Sequence, residues 1–174
     1  MLVGNKEVDL TEPVVMAHLN VTPESFLAGS RGGTDAEISE AVERAAADGA
    51  SIIDVGGYSS RPGADDVTPE EEFRRVARGV EKVMSLCPGM IVSVDPFRAE
   101  VALRVVAEFG PCIINDISAG GLDKDMIPAV ASLGMPYIAM HMRSDPATMQ
   151  QYTEYDDVTD AVVGFFRQKV KQLQ

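Results

Sequence analysis

The sequence contains no tryptophan, two cysteines and two histidines in 174 residues, and only 6% of it is aromatic. Each scarcity closes a class. Cys87 and Cys112 lie 25 positions apart with no CxxC spacing, so a disulfide scaffold is excluded and both read as reduced packing thiols. His18 and His141 cannot make a zinc site by themselves. No apolar run approaches the roughly 18 to 20 residues that cross a bilayer, and residues 1–13 lack a basic segment followed by an apolar one. A cytoplasmic location is expected. Positive charge is scarce too, with 15 Lys+Arg against 27 Asp+Glu and a net charge of -12. Such a surface repels nucleic acid and anionic membranes, so neither is expected as a partner. A phosphate-bearing substrate stays open, because one Arg beside backbone N–H groups makes a local anion site. The remaining composition, 45% hydrophobic and 24% charged, is that of one globular domain spanning residues 1–174.

Short Val/Ile-rich runs alternate with longer segments of helical period, the pattern of a parallel α/β sheet. Strands are expected at residues 14–20, 51–55, 90–95, 112–115 and 136–141, all buried on both faces because none alternates between apolar and polar. Ile38, Ala41, Val42, Ala45 and Ala46 form the apolar stripe of a first helix, opened by a Thr34/Glu37 capping box and stopped at Asp48-Gly49. Thr68, Pro69 and Glu71 predict the same start for a second, whose stripe is Phe73, Val76, Ala77, Val80, Val83 and Met84. A third carries Val101, Ala102, Val105 and Val106 before Gly110, a fourth spans about 124–133 before Gly134, and a fifth spans about 156–173 with no stop signal. Five β/α units suit either a doubly wound sheet or most of a (β/α)₈ barrel. A full barrel needs ~250 residues. Against the open sheet, no GxGxxG or Walker-type loop follows the first strand, and every strand end is polar.

Those ends carry the chemistry. Asn20 and Thr22 follow the first strand, where they either cap a turn or face a ligand. After the second come Gly56-Gly57, which permit close backbone approach, then Ser59, Ser60, Arg61, Pro62 and Gly63, a set of donors suited to an anion. Asp95 and Asn115 end apolar strands, where an uncompensated carboxylate is costly, so each satisfies nearby backbone or reads the donor/acceptor edge of a planar heterocycle. Met140 and Met142 read as core more than as ligand contacts, and His18 as a packed core imidazole.

The blocks Leu19 to Phe26, Asp54 to Gly63, Val92 to Asp95, Ile114 to Ser118 and Met140 to Met142, in this order and at these intervals, resemble dihydropteroate synthase over nearly the whole chain. The resemblance implies a TIM-type (β/α)₈ barrel, of which this chain holds about five of eight units, truncated at the C-terminal end of the domain. It implies condensation of 6-hydroxymethyl-7,8-dihydropterin diphosphate with p-aminobenzoate in folate biosynthesis, a site for which sulfonamides compete, and a possible homodimer. By resemblance Asn20 would hold Mg²⁺, and Ser60 and Arg61 would bind diphosphate oxygens. Asp95 and Asn115 would recognise the pterin with Ile117 and Met140 as apolar contacts, Phe26 and Pro62 would border the p-aminobenzoate pocket, and Thr22 and Ser59 would line the substrate loops. Catalysis would rest on Arg61, Asp95 and Asn115.

Departures from the family pattern are Pro96, where Thr is usual, and Ser144-Asp145, in place of a Gly-containing turn. The family's Asp, Lys and Arg/His of the last three strands have no counterpart before Gln174, so the chain alone is expected to be inactive. A pterin-binding methyltransferase domain and a non-catalytic partial barrel are the competing readings.

Overall fold

The computed structural model describes residues 1–22, 34–59, 67–146 and 148–174. Strands β1 (Leu2–Val3) and β2 (Lys6–Glu7) make an antiparallel hairpin. It turns at Gly4, whose φ of 60° only glycine adopts freely. Strands β3 (Met16–Asn20), β4 (Ile52–Gly56), β5 (Ile91–Asp95), β6 (Ile113–Asp116) and β7 (Tyr137–Ala139) form one parallel sheet in chain order. A doubly wound sheet reverses its strand order at a switch point. The unbroken order here is that of a barrel wall, with five strands among the described residues.

Helices α1 (Asp35–Ala47), α2 (Pro69–Leu86), α3 (Ala99–Phe109) and α4 (Met126–Leu133) pack side by side against the outer face of the sheet. Helix α1 opens with the reciprocal Thr34/Glu37 box. On α2 Thr68 caps the Glu71 amide, but the Glu71 carboxylate does not return the bond. It is taken instead by Arg74 and Arg75, two cations on the same helix turn. Phe73, Val76, Val80 and Val83 are buried, whereas Met84 is exposed at the edge of the stripe. Each buried Val or Phe contributes about 1.5–3 kcal/mol. Gly79 lets α2 approach β4, since a Cβ there would lie 2.5 Å from Val55 Cγ1. Helix α3 lacks a cap of its own at Arg98, and Asp123 from the β6–α4 loop accepts the Ala99 amide at 2.8 Å in its place.

Several expectations need correction. The hairpin β1–β2 is too short to show a period. The fourth helix starts at Met126 and the fifth, α5 (Val158–Leu173), behind the cap Asp157. Only β4 is buried throughout; β3 and β7 are partly exposed because, among the described residues, each has a neighbouring strand on one side only. No residue of α5 is buried. His18 is not a core residue, since 55% of its side chain is exposed. Cys112 is a buried free thiol, pushed up to about 12 by burial, and Cys87 is free as well.

Candidate active site

Parallel register stacks equivalent residues in rows across the sheet, and period-2 alternation gives alternate rows to the concave face. Leu19, Ile53, Val55, Val94 and Ile114 point to the helices, where they join the main core. The intervening positions point the other way in layers. Lowest are Ile52 and Ile91, which together with Ile113, the register partner of Ser93, pack with Val3 and Val8 of the N-terminal segment into a second apolar cluster. Lys6 ties the hairpin down through its bonds to the carbonyls of Pro88 and Met90. Above lies the row His18, Asp54 and Ser93, and above that Asn20, Gly56 and Asp95. Apolar residues therefore close the amino ends of the strands, and polar ones fill the carboxyl ends.

Asp54 is the hub of the polar layers. It is 3% exposed. Ser93 Oγ donates to its Oδ1 at 2.6 Å, Asn115 Nδ2 donates to its Oδ2 at 3.0 Å, and His18 Nδ1 stands 3.4 Å from the same Oδ2. The hydrogen bond to Asp54 raises the His18 pKa above its ordinary value, with burial opposing and the Asp54 and Asp95 charges assisting. Asp95, one row up, has no such support. Its Oδ1 is buried without a hydrogen-bond partner, and its carboxyl is pushed up to about 7, first by burial and then by the Asp54 charge. A buried polar atom left unpaired is expensive, and where it faces a mouth it is poised for a ligand's donor.

The rim is braced by a second buried carboxylate. Glu72, on the first turn of α2, is 0% exposed, accepts the Phe97 amide at 2.8 Å and pairs with the Arg98 guanidinium. Phe97 stacks on Tyr58, with ring centroids 4.1 Å apart, and Arg98 lies over the same Tyr58 ring. The loop after β5 is thus joined to the loop after β4. Gly57 makes this possible, because a Cβ there would meet the Glu72 carbonyl at 2.8 Å, as expected of the glycine pair.

Asp116 does not face the ligand side. It is 1% exposed and accepts from the Ser118 amide and hydroxyl, the Gly120 amide and the Tyr137 hydroxyl, all within 2.8 Å. It thereby shapes the β6–α4 loop. Ser144 has a φ of 71°, so it keeps the left-handed turn for which glycine is usual. Asp145 is consumed locally by the Thr148 amide and hydroxyl.

Of the residues expected at the site, Asn20, Asp95 and Asn115 come together at the sheet's carboxyl end. Thr22 and Ser59 are buried beside it, Ile117 is half-buried, and Met140 is 39% exposed rather than core. Asn20 Oδ1 accepts the Thr22 amide at 3.1 Å, so these two do cap a turn. Phe26, Ser60, Arg61 and Pro62 lie outside the described residues. Sequence reasoning missed Asp54, Ser93 and Glu72. Signals existed: a carboxylate inside Ile-Ile-Asp-Val needs buried donors, and Ser93 holds the same place in its own strand.

Among the described residues no cluster of three or more His, Cys, Asp or Glu could hold a metal. Asn20 supplies one hard oxygen at the mouth. One protein oxygen, with the rest of the shell from phosphates and water, is a donor set that Mg²⁺ accepts.

Fold and site together define an α/β barrel-type protein whose polar residues gather at the carboxyl ends of its strands. Residues 16–174 match the pterin binding enzyme family, and the chain belongs to that family. It is 41% identical over 170 residues to dihydropteroate synthase of Escherichia coli K12, covering 96% of this chain and 58% of that protein. It is 42% identical over 168 residues to the mitochondrial folate synthesis bifunctional protein of Pisum sativum, covering 92% of this chain and 32% of that one. The structure superposes on Yersinia pestis dihydropteroate synthase in a sulfonamide drug complex with a TM-score of 0.83 at 34% identity, covering 99% of this chain and 62% of the other. For Xanthomonas albilineans dihydropteroate synthase with 4-aminobenzoic acid the TM-score is 0.77 at 36% identity, covering 96% and 58%. The chain spans less than two thirds of each of these relatives.

Proposed function

We propose that this chain forms the pterin-binding part of a dihydropteroate synthase, a transferase that joins 6-hydroxymethyl-7,8-dihydropterin diphosphate to p-aminobenzoate and releases diphosphate. One observation carries the reading: a buried, unpartnered carboxylate oxygen on Asp95 beside Asn115, at the end of the sheet where barrel enzymes place their chemistry. An acceptor at that depth suits the ring N–H and amino groups of a pterin. The Xanthomonas albilineans enzyme bound to 7,8-dihydropteroate, 33% identical to this chain, supports the assignment.

In this reading Asp95 and Asn115 hold the heterocycle, Ile117 and Met140 flank it, and Phe26 and Pro62 border the arylamine. Ser60 and Arg61 take the diphosphate, Ser59 lines the same loop, and Asn20, braced by Thr22, would hold the Mg²⁺ that comes with it. The ion supplies charge neutralisation to the leaving group. Arg61 adds a fork of donors to the same oxygens. The arylamine then needs placement more than deprotonation, so no enzyme nucleophile is required.

Calorimetry with the pterin diphosphate and Mg²⁺, beside free hydroxymethylpterin, tests the reading. Arg61→Ala should weaken the diphosphate at least about 10-fold and the free pterin hardly at all, since a charge-assisted bidentate contact is lost from one ligand only. Equal losses would remove Arg61 from the diphosphate site. Failure of the unmodified chain to bind either ligand would sink the pterin reading.

A further inference from the structure

Asp54 is buried, and three side chains converge on it. The Asn115 atom 3.0 Å from Asp54 Oδ2 is the amide nitrogen, which donates to that oxygen, and amide geometry turns the carbonyl oxygen away from Asp54. Ser93, 0% exposed, fixes the other Asp54 oxygen at 2.6 Å and prevents the carboxylate from rotating. Asp95, with its own unpartnered Oδ1, lies in the next row up.

We propose that Asp54 is a positioning residue that locks the Asn115 amide so that its carbonyl oxygen is presented for ligand beside Asp95, making the mouth selective for an edge of hydrogen-bond donors. The ligand class follows: planar heterocycles with an exocyclic amino group next to a ring N–H, in preference to the same ring without the amino group. This rests on the pterin reading for the ligand's identity but not for the state of the amide.

In Asp54→Asn the Ser93 hydroxyl still holds one oxygen, so the new amide NH₂ faces Asn115. Asn115 can then pair with it only by turning its own carbonyl inward and its NH₂ outward, toward a ligand that also donates.

The experiment has two arms, both on the full chain. Without ligand, NMR follows water exchange of the Asn115 side-chain amide protons. One proton should be protected at least about 10-fold over a free asparagine amide, as for a buried hydrogen bond, and Asp54→Asn should abolish the protection. Two unprotected protons in the unmodified chain would overturn the proposal, even if Asp54→Asn cannot be folded. With ligand, affinities are compared for 2-amino-4-oxopteridine and for 4-oxopteridine, which lacks the amino group. Asp54→Asn should weaken the aminated ring by about 30-fold and the other far less, the cost of one mispaired buried polar group. Equal weakening of both rings would make Asp54 a packing residue and overturn the assignment. Protection without binding of either ring would sink the pterin reading while leaving the lock in place.

Discussion

Asp116, which is buried, and Asp95, which is half-buried with a buried Oδ1, are both acids at the end of an apolar strand, and they are opposites. Asp116 is saturated by four donors, so Asp116→Ala strands two amides and two hydroxyls. A loss of at least about 3 kcal/mol is expected, read as a fall in the urea midpoint. Asp95 has an oxygen without a partner, and its charge works against folding. Its carboxyl titrates near 3.8 when unfolded and about 7 when folded. Below the lower value both states are protonated and nothing is lost; as pH rises through the window the unfolded state ionises first, and stability falls until the upper value is passed. Asp95→Asn should remove that slope and exceed the unmodified chain by roughly 2 to 4 kcal/mol at pH 7.5, while losing pterin affinity. A mutant that melts lower at that pH and binds pterin as before would make Asp95 structural. Asp95 and Asn115 were legible in the sequence because polar residues at the tips of apolar runs have few explanations. Asp54 was not, because its partners come from three other strands and only register brings them together.

At the scale of elements, the capped and striped helices α1 and α2 were readable because their signals are local. Glu72 was not. It belongs to the acidic run that opens α2, and three-dimensional packing alone decides that it turns inward to the β5–α3 loop. Glu72→Ala should cost about 3 kcal/mol or more by removing the acceptor of the Phe97 amide and the buried carboxylate that pairs with Arg98. Glu72→Gln, which keeps one acceptor, should cost less. Hydrogen exchange at the Phe97 amide would report the difference, with protection lost in the alanine variant and largely kept in the glutamine one. Protection that survives in both would show that the Tyr58–Phe97 stack holds the loop without the carboxylate. Helix α5 shows the limit of periodicity. Val158, Val162, Phe166, Val170 and Leu173 recur along it at helical spacing, yet such a stripe states only that a face can be covered, and Val158, Val170 and Leu173 remain exposed.

For the whole molecule, the consequence of five parallel strands is two unpaired edges among the described residues, at β3 and β7. Val15, 57% exposed at the entrance of β3, and Met16 sit on one of them. Open parallel edges with apolar side chains invite pairing between copies. Sedimentation of the 174-residue chain should show concentration-dependent association, reduced by Val15→Lys; a monomer at all concentrations would contradict this. The alternation of strand and helix made the class readable in advance, but not the closure at the bottom, because a two-residue strand has no period.

That closure has a further consequence. With Val3 and Val8 packed against Ile52, Ile91 and Ile113, the amino end of the concave face is plugged. The bottom is therefore no route for water or ligand, and whatever reaches the level of Asp95 and Asn115 comes and goes at the carboxyl end or past the open edges at β3 and β7.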